Sequence, residues 1–178
     1  MLSDATTPEA AAAPPVPFLR RWRAYRVLWA FLLVAVALDQ ASKAWINAHL
    51  PLGTYGQPRA ISVIKGFFNL VHVGNTGAAW SMLTGRSVLL AALAAATLLG
   101  IFFWRHALGL RDRTAQVAFG LLCGGILGNL ADRLVYGHVI DFIDLHFGSY
   151  TYPTFNIADS AICIGVLLYL IHSLRQPN

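Results

Sequence analysis

Charge is scarce in this chain. Of its 178 residues 12% are charged and 57% are hydrophobic. The mean hydropathy of +0.58 excludes the ordinary soluble domain, in which about 25% of residues are charged. The cysteines are Cys123 and Cys163 alone, each inside an apolar run and without metal-ligand spacing. Two buried thiols are a simpler reading than a disulfide between helices. The six histidines are scattered and form no H-E-x-x-H, so zinc proteolysis lacks its ligands. No Gly-x-Ser-x-Gly elbow is present, and Ser42 and Lys43 are adjacent and point apart on a helix, so serine mechanisms fit poorly. The net charge of +5 comes without a basic face interleaved with aromatics, so nucleic acid is not an expected partner.

Long apolar runs are present instead. A span needs roughly 20 residues, because about 1.5 Å of rise per residue must cross about 30 Å of hydrocarbon. Four stretches qualify, at about 24–46, 87–104, 114–133 and 154–174. The first follows Arg20, Arg21, Arg23 and Arg26 and contains Ala35-Val36-Ala37, which resembles a secretory cleavage site. It continues helically to about residue 46, and three more spans follow, so it reads as a transmembrane helix. Residues 1–20 are rich in Ala and Pro and read as a disordered cytoplasmic tail, with 21–178 as one membrane domain. Four spans put both termini on one side. Eight of the thirteen basic residues fall there, counting Arg105, Arg111, Arg113 and Arg175 with the four before the first span. That side is therefore assigned as cytoplasmic.

Two outer segments remain. The runs 60–64 and 67–73, split by Lys65-Gly66 and followed by Gly74-Asn75-Thr76-Gly77, predict a small sheet on the membrane surface within about 52–80. The segment 138–153 mixes Val, Ile, Phe and Leu with Asp141 and Asp144, as an interfacial amphipathic piece would. Gly120, Gly124 and Gly128 recur at four-residue spacing in the third span and read as a packing stripe.

The acids carry the functional signal. Asp4, Glu9 and Asp112 lie in the tail or the cytoplasmic loop, whereas Asp39, Asp132, Asp141, Asp144 and Asp159 converge on the outer face. An ionisable residue in a span costs about 2.5–3.5 kcal/mol at the helix centre and so marks a candidate site. Asp39 has Lys43 four residues on, which leaves substrate binding and helix packing both open. Asp132 stands beside Arg133, and Asp144 reads as an exposed linker charge. Asn129 and Arg133 share a helix face and could hold a carboxylate or a substrate carbonyl. Two close carboxylates share a proton, so one can activate water while the other donates to a scissile carbonyl. A proton-coupled transporter would spread charged groups through the bilayer, but the second span, and the third as far as Ala131, carry none.

The motifs Asp39-Gln40-Ala41-Ser42-Lys43, Asn75-Thr76-Gly77-Ala78-Ala79-Trp80-Ser81, Gly128-Asn129-Leu130-Ala131-Asp132-Arg133, Val139-Ile140-Asp141-Phe142-Ile143-Asp144 and Phe155-Asn156-Ile157-Ala158-Asp159 stand in that order. Together they resemble the lipoprotein signal peptidase family, bacterial signal peptidase II, with Trp80 where Phe is usual. The resemblance implies an all-α polytopic fold of four transmembrane helices with a small extracytoplasmic β-cradle and a short extracytoplasmic helix, the latter sought in 138–153. It implies an inner-membrane aspartyl endopeptidase that cuts diacylglyceryl-modified prolipoproteins before the lipidated cysteine. It further implies a dyad at Asp141 and Asp159, with Asp39, Lys43, Asn75, Asn129, Arg133 and Asn156 around the substrate. No metal or organic cofactor is expected. The implied partners are lipidated prolipoproteins, membrane lipids and globomycin-type inhibitors, acting on a monomer. Asp141 suits the dyad better than Asp132, because Arg133 would keep Asp132 ionised while Ile140, Phe142 and Ile143 surround Asp141 with apolar groups that raise a carboxyl pKa.

Overall fold

A computed structural model describes residues 23–56 and 59–175; the expected tail at 1–20 lies outside them. Among the described residues, four helices are long and apolar enough to cross a membrane: α1 (Arg26–His49), α2 (Ser87–Trp104), α3 (Arg113–Tyr136) and α4 (Ile157–Arg175). Their apolar windows have mean hydropathies of 1.5, 2.2, 1.4 and 1.9. Helix α3 is central, with 56% of its window buried against 6% for α2. It packs on α1 and α4, while α2 makes its main contact with α3 and is largely exposed.

Small residues set these distances. A Cβ on Gly120 would come 2.7 Å from Leu28 O, and one on Gly124 would come 2.7 Å from Ala35 Cβ, so the glycine stripe of α3 lies directly against α1. Gly125 meets Ala158 of α4 in the same way, and Gly165 of α4 would crowd Ala118 O at 2.6 Å. The apolar core below this zone gathers Leu28, Leu32, Leu110, Ala115, Phe119 and Cys123. Cys123 is buried, but Cys163 is exposed on α4, so the expectation of two buried thiols holds for one of them.

The fold is not all-α. Strands β1 (Ile61–Ile64), β2 (Phe68–Asn75), β3 (Val139–Phe147) and β4 (Tyr150–Thr151) form an antiparallel sheet in that order. Segment 138–153, expected to hold an amphipathic piece or short helix, is thus mostly strand; a 3-10 turn occurs instead at Ala79–Ser81. The reason is pairing: Phe68 lies opposite Leu145 and Asn75 opposite Val139, which satisfies a backbone that is buried on both faces at its start. Ile140 and Phe142 of β3 pack with Ile46 and Leu50 at the end of α1 and clamp the sheet onto the helix bundle.

Candidate active site

The chain enters the sheet from the C-terminal ends of α1 and α3 and leaves it into the N-terminal ends of α2 and α4. Every helix end that meets the sheet therefore lies at one end of the bundle, and the polar residues collect there. Asp39, Lys43, Asp132, Asp141 and Asn156 are each at most 2% exposed, and Asn129 is 7% exposed. Burial of this many polar groups is tolerated only when they satisfy one another.

Lys43 is the hub of one group. Its Nζ lies 2.8 Å from Asp39 Oδ2 and 2.7 Å from Asp132 Oδ2, and donates to Asn129 Oδ1 at 3.0 Å. Asp39 Oδ1 accepts the backbone N–H of Ala158 at 2.9 Å, supplying a partner for an orphan donor in the first turn of α4. Asp132 Oδ2 accepts Ile140 N–H at 3.1 Å and so ties α3 to the start of β3. Gln40 joins this group by donating to Asp39 Oδ2, Gly128 O and Asp132 Oδ1 at 3.0–3.2 Å. Sequence reasoning misses Gln40, because a neutral amide beside Asp39 gives no charge signal; its position inside the first motif is the available clue. The counter-ion of Asp132 is Lys43, where Arg133 was expected. The Arg133 guanidinium instead donates to Asn129 O at 3.3 Å and to Gly77 O at 2.9 Å.

The second group centres on Asp141 and Asp159. Asp141 Oδ2 accepts Asn75 Nδ2 at 2.9 Å, and its Oδ1 accepts Asn156 Nδ2 at 2.8 Å. Asp159 Oδ1 accepts Asn129 Nδ2 at 2.7 Å. Asn156 caps α4: its Oδ1 accepts Asp159 N–H at 2.9 Å, while its own N–H donates to Asp159 Oδ2 at 3.2 Å, a reciprocal capping box that fixes the Asp159 carboxyl. The two amides also meet each other, Asn156 Nδ2 donating to Asn129 Oδ1 at 3.2 Å. Burial raises the Asp141 carboxyl to about 7 and the neighbouring Asp159 charge pushes the same way, while the hydrogen bonds from Asn75 and Asn156 oppose the rise. A cavity of about 220 Å³ opens beside Asp159, walled by Asn129, Arg133, Ala94, Thr97 and Ile162. Arg133 Nε is buried there and, among the described residues, has no hydrogen-bond partner.

Asp144 stands apart. It is buried rather than exposed as expected, and Asn69 donates to its Oδ2 at 3.2 Å, where His146 Nε2 also lies at 2.7 Å. The other nine residues singled out from the sequence, Asp132 among them, come together at the sheet end of the bundle.

The family model described as Signal peptidase (SPase) II matches residues 31–175. The chain belongs to the signal peptidase II family. It is 41% identical to the lipoprotein signal peptidase of Janthinobacterium sp. (strain Marseille), over 80% of this chain and 85% of that one. With the lipoprotein signal peptidase of Xylella fastidiosa (strain M12) it shares 39% identity, over 85% of this chain and 93% of the relative. A solved structure described as "Bacterial membrane enzyme structure by the in meso method at 2.3 A resolution" superposes with a TM-score of 0.75 at 33% identity, covering 84% of this chain and 88% of that chain. A second, at 1.9 A, gives 0.71 and 31% identity, covering 85% and 95%. As a signal peptidase II, the chain is a multi-pass membrane protease that removes signal peptides from prolipoproteins.

Proposed function

We propose that this chain is an aspartyl endopeptidase that cuts diacylglyceryl-modified prolipoproteins before the lipidated cysteine, with Asp141 and Asp159 as the catalytic pair. The observation that carries this reading is the contrast in their surroundings. Each carboxyl is held by side-chain amides rather than by a cation, and the Asp141 carboxyl is raised to about 7 by burial and by the charge of Asp159. Such a pair retains one proton near neutral pH, so the ionised member takes a proton from water while the protonated member donates to the peptide carbonyl oxygen. The tetrahedral species then collapses with proton return to the leaving amine, and no covalent enzyme intermediate forms. Asn75, Asn129 and Asn156 aim the two carboxyls. Arg133 Nε, buried and unpartnered beside Asp159, is a donor suited to a substrate carbonyl. Asp39 and Lys43 position α1 against α4 rather than touch substrate.

In this reading the signal helix enters sideways from the bilayer, and the lipidated cysteine keeps its acyl chains in lipid. The enzyme sits in the bacterial inner membrane as a monomer. Both termini face the cytoplasm where the basic residues collect, and the sheet and the aspartates face outward. Globomycin-type inhibitors would occupy the cavity beside Asp159. The decisive experiment is a gel-shift assay of a lipidated precursor. Asp141→Asn and Asp159→Asn should each lower processing by about 10²–10⁴-fold while the chain still folds and inserts, and globomycin should block the wild type. Normal cleavage by either variant refutes the pair.

A further inference from the structure

A second cavity lies on the sheet. It has a volume of about 400 Å³ and is walled by Leu52, Tyr55, Val73, Gly74, Thr76 and His138, with no residue from the four spans. Gly74 and Thr76 flank Asn75, whose amide holds Asp141, so the groove lies one residue along β2 from a side chain that holds the catalytic pair. Its floor depends on a missing side chain, since a Cβ on Gly74 would come 2.9 Å from the His138 ring.

The edge of β2 is open along this groove. Strand β1 lies beside β2 only at residues 68–70. Farther on, Gly53 N–H donates to His72 O and His72 N–H donates to Thr54 O, each at 2.9 Å, so the backbone groups of His72 point away from β3. Backbone direction alternates along a strand. The N–H and C=O of Gly74 therefore point the same way as those of His72, and among the described residues no strand pairs with them there. A short unpaired edge is a template for an extended peptide.

Resting on the aspartyl peptidase reading above, we infer that this groove holds the first residues of the mature polypeptide, those after the lipidated cysteine, as an added strand on Gly74. The substrate has two unlike arms. Its signal helix is apolar and matches the cavity walled by helices beside Asp159. The mature arm must leave the lipid, where unpaired backbone groups are costly, and the groove of sheet and loop offers both backbone partners and a path outward. Pairing at Gly74 registers the scissile carbonyl against Asp141 through the adjacent Asn75. Alternate side chains of the added strand face Leu52 and Tyr55, which are 58% and 59% exposed.

The test uses the purified full chain and two lipidated precursor peptides, one ending just after the cysteine and one with a longer mature segment. The long peptide should be cleaved with kcat/KM about tenfold above the short one, with the gain in KM. Proline at the second residue after the cysteine, which removes an N–H, should erase most of that ratio, and Tyr55→Ala should lower it several-fold. The proline arm leaves the enzyme unaltered, so it decides the matter whatever the variant's folding. A ratio near one, or a ratio indifferent to both proline and Tyr55→Ala, overturns the assignment. Asp141→Asn run in parallel locates the failure. If that variant is inactive while the ratio is null, the groove assignment alone falls; if it cleaves normally, the aspartyl reading falls and takes the groove with it.

Discussion

Two pairs of aspartates, buried except for the half-buried Asp159, sit at the same end of the bundle and differ in what meets them. Asp39 and Asp132 share the ammonium of Lys43 at 2.8 and 2.7 Å. Asp141 and Asp159 receive only amide and backbone N–H donors, and among the described residues no Lys or Arg stands at ion-pair distance from either. A shared ammonium ties two carboxylates into one rigid group, whereas burial beside a like charge favours retention of a proton on Asp141. The first pair is built as a fixed strut between α1, α3, α4 and β3, and the second can exchange a proton. Equivalent side chains thus acquire different properties from neighbours a few ångströms away.

Substitutions can break this contrast. The largest effect falls on the amide-held pair, where Asp141→Asn and Asp159→Asn should remove about 10²–10⁴-fold of activity with thermal stability in detergent kept or raised. Next, Lys43→Ala should leave two buried carboxylates without their cation and cost about 3–5 kcal/mol, read as a loss of folded yield and melting temperature. If Lys43→Ala melts like the wild type, the strut interpretation is wrong. In the middle of the bundle, Gly124→Ala would drive a methyl into Ala35 and Leu32; overpacking of this kind costs about 1–3 kcal/mol. That loss should lower the melting temperature equally at acid and alkaline pH, since no titrating group is involved.

The pH dependence separates the pairs further. Asp141 titrates at about 7 in the folded chain against an ordinary 3.8. Between those values the folded state binds more protons than the unfolded one, so this carboxyl makes stability fall as pH rises toward 7, with no further loss above it. Asp141→Asn should flatten that slope in melting curves taken across the window. Activity should decline as pH rises past about 7, when the shared proton is lost. The smallest effect expected is from Asn75→Ala. The Asn75 hydrogen bond lowers the Asp141 value, so its removal should move the alkaline limb to higher pH and reduce kcat about tenfold, for one lost hydrogen bond to a charged group of about 1.5 kcal/mol. A limb that moves to lower pH would contradict the sign.

Much of this architecture is legible in the amino-acid sequence. The spans can be read there because length and apolar content are local properties of each segment, and the five motifs point to the family that the relatives establish. The runs at 60–64 and 67–73 are legible as strands from their β-branched and aromatic content. Segment 139–147 is not, because an apolar run broken by two aspartates has no clear period of its own. Its state depends on Phe68 through Asn75, more than sixty positions earlier, which pair with it. The same holds for Asp132, whose neighbour in the chain is Arg133 and whose neighbour in space is Lys43.

The order of residues alone specifies a four-span membrane protease of the signal peptidase II family, because hydropathy, basic flanks and ordered motifs are written along one dimension. Packing in three dimensions is what selects which carboxylates share a lysine and which meet amides, makes the linker between α3 and α4 a strand, and leaves the β2 edge at Gly74 open. Those are matters of hydrogen-bond partnership across long separations, and a partner's identity depends on how α1, α3, α4 and the sheet close on one another.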